Sequence, residues 1–99
     1  MQKCLSKATK EELDEIKRLA GLLFVPREIA IMLEFDEDAF VVECELKDTA
    51  VYRAFHGGRL QRTVLHREKI IKLADSGSSP AQTMVEGIIK ETAAKMMDK

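Results

Sequence analysis

His56 and His66 are the side chains best suited to hold a metal or move a proton. They stand ten positions apart, with no carboxylate or thiol at a ligand spacing such as HExxH. Their surroundings point instead to polar surface or to contact with phosphate. Ser76, Ser78 and Ser79 lack a GxSxG elbow and an obvious base partner, so they read as turn and cap residues. The pair Gly57-Gly58 is followed by neither GK[ST] nor a GxGxxG pattern, and so is not a phosphate-binding loop. Cys4 and Cys44 are the only cysteines and form no CxxC arrangement, which predicts reduced thiols, with Cys44 buried. The inventory contains no catalytic constellation, no metal site and no cofactor motif, and an enzyme is not expected.

Charge is segregated along the chain. Residues 1–47 carry seven basic and eleven acidic side chains, whereas from Thr49 to Ala74 six basic residues face only Glu68. At 100° per residue Arg59, Arg62, His66 and Lys69 share one stripe of a helix. With Arg53 and His56 they are the candidate DNA-contacting set, since cations so arranged release counterions when they neutralise phosphates. A solvated helix face is the competing reading. The net charge of −1 provides no global attraction to nucleic acid, so only this distribution can supply one.

The elements that would position these side chains read as helices. Thr9 followed by Glu12 has the form of a capping box, and Leu13, Ile16, Leu19, Ala20 and Leu23 recur behind it at helical spacing. Pro26 suits the first turn of a second helix, and Asp36, Glu37 and Asp38 suit the start of a third. Asp48 is a candidate N-cap for a fourth, from about Val51 to Ala74, with Leu60, Val64, Ile71 and Ala74 on one face. Gly57-Gly58 predicts a bend in it. Ser76-Gly77-Ser78 ends that helix; Ser79 with Gln82 then repeats the capping box around Pro80, where a last helix begins. Phe40 to Leu46 is the one stretch that could pass for a strand.

The expectation is an all-α fold of about five helices in a single domain over 1–99. Within it, 9–47 is a helix-turn-helix-like three-helix unit, 48–77 a basic helical segment and 79–97 a C-terminal helix. Ninety-nine residues at 45% hydrophobic composition support only a modest core, so self-association is expected. Met84, Val85, Ile88, Ile89 and Met96 of the last helix are the candidate oligomer interface, Met97 extending their stripe. No run of eighteen apolar residues is present and residues 1–7 lack the apolar core of a signal peptide, which predicts a cytoplasmic protein without a membrane partner.

From Pro26 to Cys44 the spacing is that of a helix-turn-helix: Ile29, Ala30 and Leu33 share a face, Phe35 follows, and Phe40 falls where a second helix would cross. A small residue such as Ala30 lets the helices approach. The would-be recognition helix opens on Asp36, Glu37 and Asp38 and continues through Val41, Val42, Glu43 and Glu45, a surface that a phosphate-lined groove should repel.

The runs Leu22-Leu23-Phe24-Val25-Pro26-Arg27-Glu28-Ile29-Ala30-Ile31-Met32-Leu33, Val51-Tyr52-Arg53-Ala54-Phe55-His56-Gly57-Gly58-Arg59-Leu60 and Ala74-Asp75-Ser76-Gly77-Ser78-Ser79-Pro80-Ala81-Gln82 resemble the small helix-turn-helix proteins of tailed bacteriophages, small terminase subunits in particular. The resemblance covers roughly residues 13 to 90. It implies a non-enzymatic subunit that recognises viral double-stranded DNA, assembles with itself, and recruits or regulates a large packaging ATPase-nuclease in the host cytoplasm. Glu34, at a turn position where glycine or a small polar residue is common, and the acidic third helix depart from that pattern. A helix-turn-helix transcriptional regulator and an oligomeric protein-interaction module that binds no DNA are the alternatives.

Overall fold

The computed structural model describes residues 8–97, and among these five α-helices and no β-strand make up the fold. The chain is all-α. It divides into two compact units, Met1–Thr63 and Val64–Lys99. The boundary therefore falls inside the 48–77 segment, not at either end of it.

In the first unit, α1 (Lys10–Gly21) starts at the expected capping box. The Glu12 N–H donates to Thr9 Oγ1 at 3.1 Å and the Thr9 N–H donates to Glu12 Oε1 at 3.0 Å, so two backbone donors that the helix leaves open are satisfied. Pro26 opens α2 (Pro26–Leu33), where the Glu28 carboxylate accepts from the Val25 N–H at 3.0 Å. Asp36 caps α3 (Glu37–Glu43) by accepting from the Ala39 N–H at 2.9 Å. Phe40 and Cys44, four positions apart, are both buried. That period is helical, which decides against a strand over this stretch.

Each of the first two helices closes with a residue in the left-handed region, Leu23 at φ 70° and Glu34 at φ 64°. The Phe24 N–H then reaches Leu19 O at 3.3 Å and the Phe35 N–H reaches Ala30 O at 2.9 Å. Glycine is the usual residue for this closure. Here the chain turns without it and delivers Phe35 into the core, where its ring stacks on Phe40 at 5.7 Å. Ile16, Leu19, Ala20, Ile29, Ala30, Cys44, Val51 and Phe55 complete one buried cluster.

Thr49, not Asp48, caps α4 (Ala50–Asp75): its Oγ1 accepts from the Tyr52 N–H at 3.0 Å while its hydroxyl donates to Leu46 O at 2.9 Å. The helix runs unbroken through Gly57-Gly58, where the sequence predicts a bend. A Cβ on Gly58 would stand 2.1 Å from Lys17 O and 3.0 Å from Ala20 Cβ, whereas one on Gly57 would meet nothing within 4 Å. Gly58 is thus the point at which α4 lies backbone to backbone against α1. A helix crossing that close tolerates no side chain.

The second unit holds the remainder of α4 and α5 (Ser79–Met97). Gly77, at φ 101°, closes α4, with the Ser78 N–H donating to Leu73 O at 3.0 Å. The expected box of Ser79 and Gln82 does not form. Ser78 takes the cap position, its Oγ accepting from the Ala81 N–H at 3.4 Å, and the Gln82 side chain donates instead to Ala74 O at 3.2 Å. The helix consequently starts one residue ahead of Pro80. The expected apolar face of α4 is also displaced, since Leu60, Val64 and Ile71 are exposed and Ile70 is the buried side chain.

Candidate nucleic-acid interface

Each of the six side chains assigned to DNA can be located on α4. In the first unit Arg53 is exposed and Arg59 is half-buried, its guanidinium carbon 5.4 Å from the centre of the Phe55 ring. Arg62 is half-buried and its Nε donates to Gly21 O at 2.7 Å, satisfying a carbonyl that the C-terminus of α1 leaves open. His56 is half-buried, with Nε2 donating to Cys44 O at 3.0 Å and the ring against Tyr52 at 4.1 Å and Phe55 at 5.2 Å. In the second unit His66 and Lys69 are exposed.

This corrects the stripe. Val51, Phe55, Gly58 and Arg62 follow one another at spacings of four, three and four, so Arg62 continues the row that packs inward. His56 fastens the end of α3, and Arg62 the end of α1. Each gives one nitrogen to the fold and is only partly open to solvent. Nothing in the local sequence marks which side of α4 is covered, because that side is set by the crossing at Gly58. Lys72, exposed in the second unit, and Arg67, half-buried there, are cations that the stripe left out. Their membership in the charge-segregated segment was the signal available.

No family model, curated protein or solved structure matches the chain.

The helix that would read bases has a different chemistry. Asp38, Val42, Glu45 and Leu46 are exposed on one side of α3 and its continuation, opposite the buried Phe40 and Cys44. Arg27 of α2 pairs with Asp38 at 2.8 Å and with Glu37 at 3.6 Å. The Asp38 hydrogen bond, with its charge, pushes the Arg27 guanidinium further toward the protonated form. Burial, with the charges of Glu43 and Glu45 added, pushes the Cys44 thiol up to about 12, so it is a packed side chain and not a nucleophile.

Of the candidate oligomer residues, Met84, Ile89 and Met96 are exposed, whereas Val85 and Ile88 are half-buried. Among the described residues no group of three His, Cys, Asp or Glu is placed to hold a metal ion, and no helix is long and apolar enough to cross a membrane.

Proposed function

We propose that the chain is a non-enzymatic DNA-binding subunit that assembles with itself and grips duplex DNA by the phosphate backbone. In keeping with its resemblance to small terminase subunits, it would recruit or regulate a large packaging ATPase-nuclease in the host cytoplasm. The observation that carries this reading is the excess of six basic residues over Glu68 between Thr49 and Ala74. Exposed Arg53 in the first unit and exposed His66, Lys69 and Lys72 in the second remain free of ion pairs among the described residues. The α2–α3 pair, with Ala30 at 0% exposure and Phe35 on Phe40, supports a helix-turn-helix role. In this reading α3 packs or meets protein, and α4 meets DNA.

Titration of a random duplex across a salt series tests this. Binding should weaken steeply with salt, and Lys69→Ala with Lys72→Ala should lower the slope of log K against log salt by roughly 2. Equal loss on all sequences is expected, because phosphate contacts carry no base information. No salt-dependent binding at 50 mM salt and micromolar protein would overturn the DNA reading. In that case the exposed Asp38, Val42, Glu45 and Leu46 favour the second reading, an interaction module whose α3 takes a basic, apolar partner helix.

A further inference from the structure

The second unit lacks a core of its own. Among its described residues only Ile70 and Ala81 are buried, and two helices with one seam between them do not make the two packed layers that a stable domain requires. The seam is visible in the burial pattern. Arg67, Ile70 and Ala74 on α4 and Ala81, Val85, Ile88 and Thr92 on α5 are buried or half-buried, at alternating three- and four-residue spacing. Burial that runs back from a three-residue turn along both helices, from Ala74 to Arg67 on one and from Ala81 to Thr92 on the other, is the pattern of an antiparallel hairpin.

Beside that seam runs a second apolar row. Val64 and Ile71, one heptad apart on α4, are 53% and 45% exposed, and Ile89 and Met96, one heptad apart on α5, are 60% and 74% exposed. Both pairs are rotated in the same sense from the seam, by about 80° on α4 and about 60° on α5 at 3.6 residues per turn. In antiparallel helices the same sense of rotation leads to the same face. Measured from Ile71 to Met96 along the hairpin, the four side chains extend over roughly 18 Å.

We propose that this face is the contact between two copies of the chain, which pair their second units into a four-helix bundle with Val64, Ile71, Ile89 and Met96 at its centre. The proposal rests on the self-association part of the function above and is independent of DNA. A two-fold axis brings the same patch from each copy together, so an apolar face meets an apolar face. The unit carries six basic and five acidic side chains, so like copies do not repel. Two helices side by side, about 10 Å apart, one running about 18 Å in this unit and the other about 28 Å, offer a face of roughly 500 Å² per partner, and two such faces reach the roughly 1,000 Å² in total that a specific interface needs. The pairing also explains why Val85 and Ile88 are half-buried while Ile89 is not: the first two close the hairpin, and the third closes the dimer.

Light scattering of the full chain without DNA, from 5 to 200 µM, tests the pairing. An oligomer in multiples of two is expected, with a melting midpoint that rises with protein concentration. Val64→Lys with Ile89→Lys should give an 11.2 kDa monomer whose midpoint no longer depends on concentration. Met84→Lys, on the other side of α5, should leave the mass unchanged. The milder Ile89→Ala should weaken association at least tenfold without loss of helix by circular dichroism. A wild-type monomer throughout would overturn self-association altogether. A wild-type oligomer that survives Val64→Lys with Ile89→Lys would overturn this surface alone, and its dissociation by Met84→Lys would move the interface to the opposite face.

Discussion

Among the described residues, ten of the twelve buried apolar side chains lie in the first unit and two in the second, although the second holds more than a third of the chain. The first unit is closed on itself by three caps, two turns that return the backbone to the core, and a stacked phenylalanine pair. The second is a hairpin that leaves more apolar side chains in water than it hides. A helix is therefore not evidence of a core, since α4 supplies Val51 and Phe55 to a sealed cluster in one unit and Val64 and Ile71 to open solvent in the other. What separates the two stretches is a partner.

The largest effect should come from cutting into the sealed cluster. Phe40→Ala removes a fully buried ring that stacks on Phe35, and should cost about 3–5 kcal/mol in urea unfolding, a large share of the 5–15 kcal/mol typical of a domain. Ile70→Ala should behave differently. Lying outside the sealed cluster, it should spare the unfolding of the first unit and instead increase amide exchange in residues 64–97. Equal loss of global stability in both variants would mean that the two units unfold as one and that the contrast between them is not energetic.

The next effect isolates one atom. Gly58→Ala places a Cβ against the Lys17 carbonyl, forcing α4 off α1, and should destabilise by about 1–3 kcal/mol despite the better helix propensity of alanine. Gly57→Ala, one residue earlier and in open space, should stabilise by about 0.5–1 kcal/mol. Opposite signs at adjacent glycines would establish that the first unit is held by a close helix crossing. The same sign would return the pair to a flexible joint.

That pair also marks where the sequence stops being legible. Thr9 with Glu12, Pro26 and Asp36 were readable because a cap is made by residues three apart and needs nothing distant. Gly58 was not, since its reason lies at Lys17, some forty positions away. The same distance hid the covered side of α4, and with it the roles of Arg62 and His56, whose partners Gly21 and Cys44 lie on other helices. At the hairpin turn the misreading was local but just as physical. Ser78 and Ser79 are equally good caps by type, and the closure at Gly77 decides between them.

Alkaline pH should act through Cys44 in the first unit. The Cys44 thiol titrates at about 12 in the fold, above its ordinary range, so the folded chain holds a proton that the unfolded chain has lost. Stability is therefore intact below about pH 8.5 and should fall as pH rises from there toward 12. Comparing urea midpoints at pH 8 and pH 10, the native chain should lose more than Cys44→Ala does. Equal losses would mean that the thiol is hydrated in the fold and that the cluster is less sealed than its geometry.

The smallest effect compares the turns of the two units. Leu23, Glu34 and Gly77 occupy the same left-handed closure, but only the second unit fills it with glycine. A side chain there costs on the order of 1 kcal/mol, which glycine recovers in part against its greater freedom in the unfolded chain. Glu34→Gly should thus stabilise the first unit by a few tenths of a kcal/mol, whereas Gly77→Ala should weaken the hairpin by about 1 kcal/mol. The first unit can carry the strain at Glu34 because Phe35, the next residue, is drawn into the core and stacks there. The hairpin has no such anchor beside Gly77, since Ser78 follows it and Ala81 is its nearest buried side chain. Gly77→Ala should accordingly show itself as faster amide exchange through α5, and a variant with unchanged exchange would mean that the turn is held from outside the hairpin.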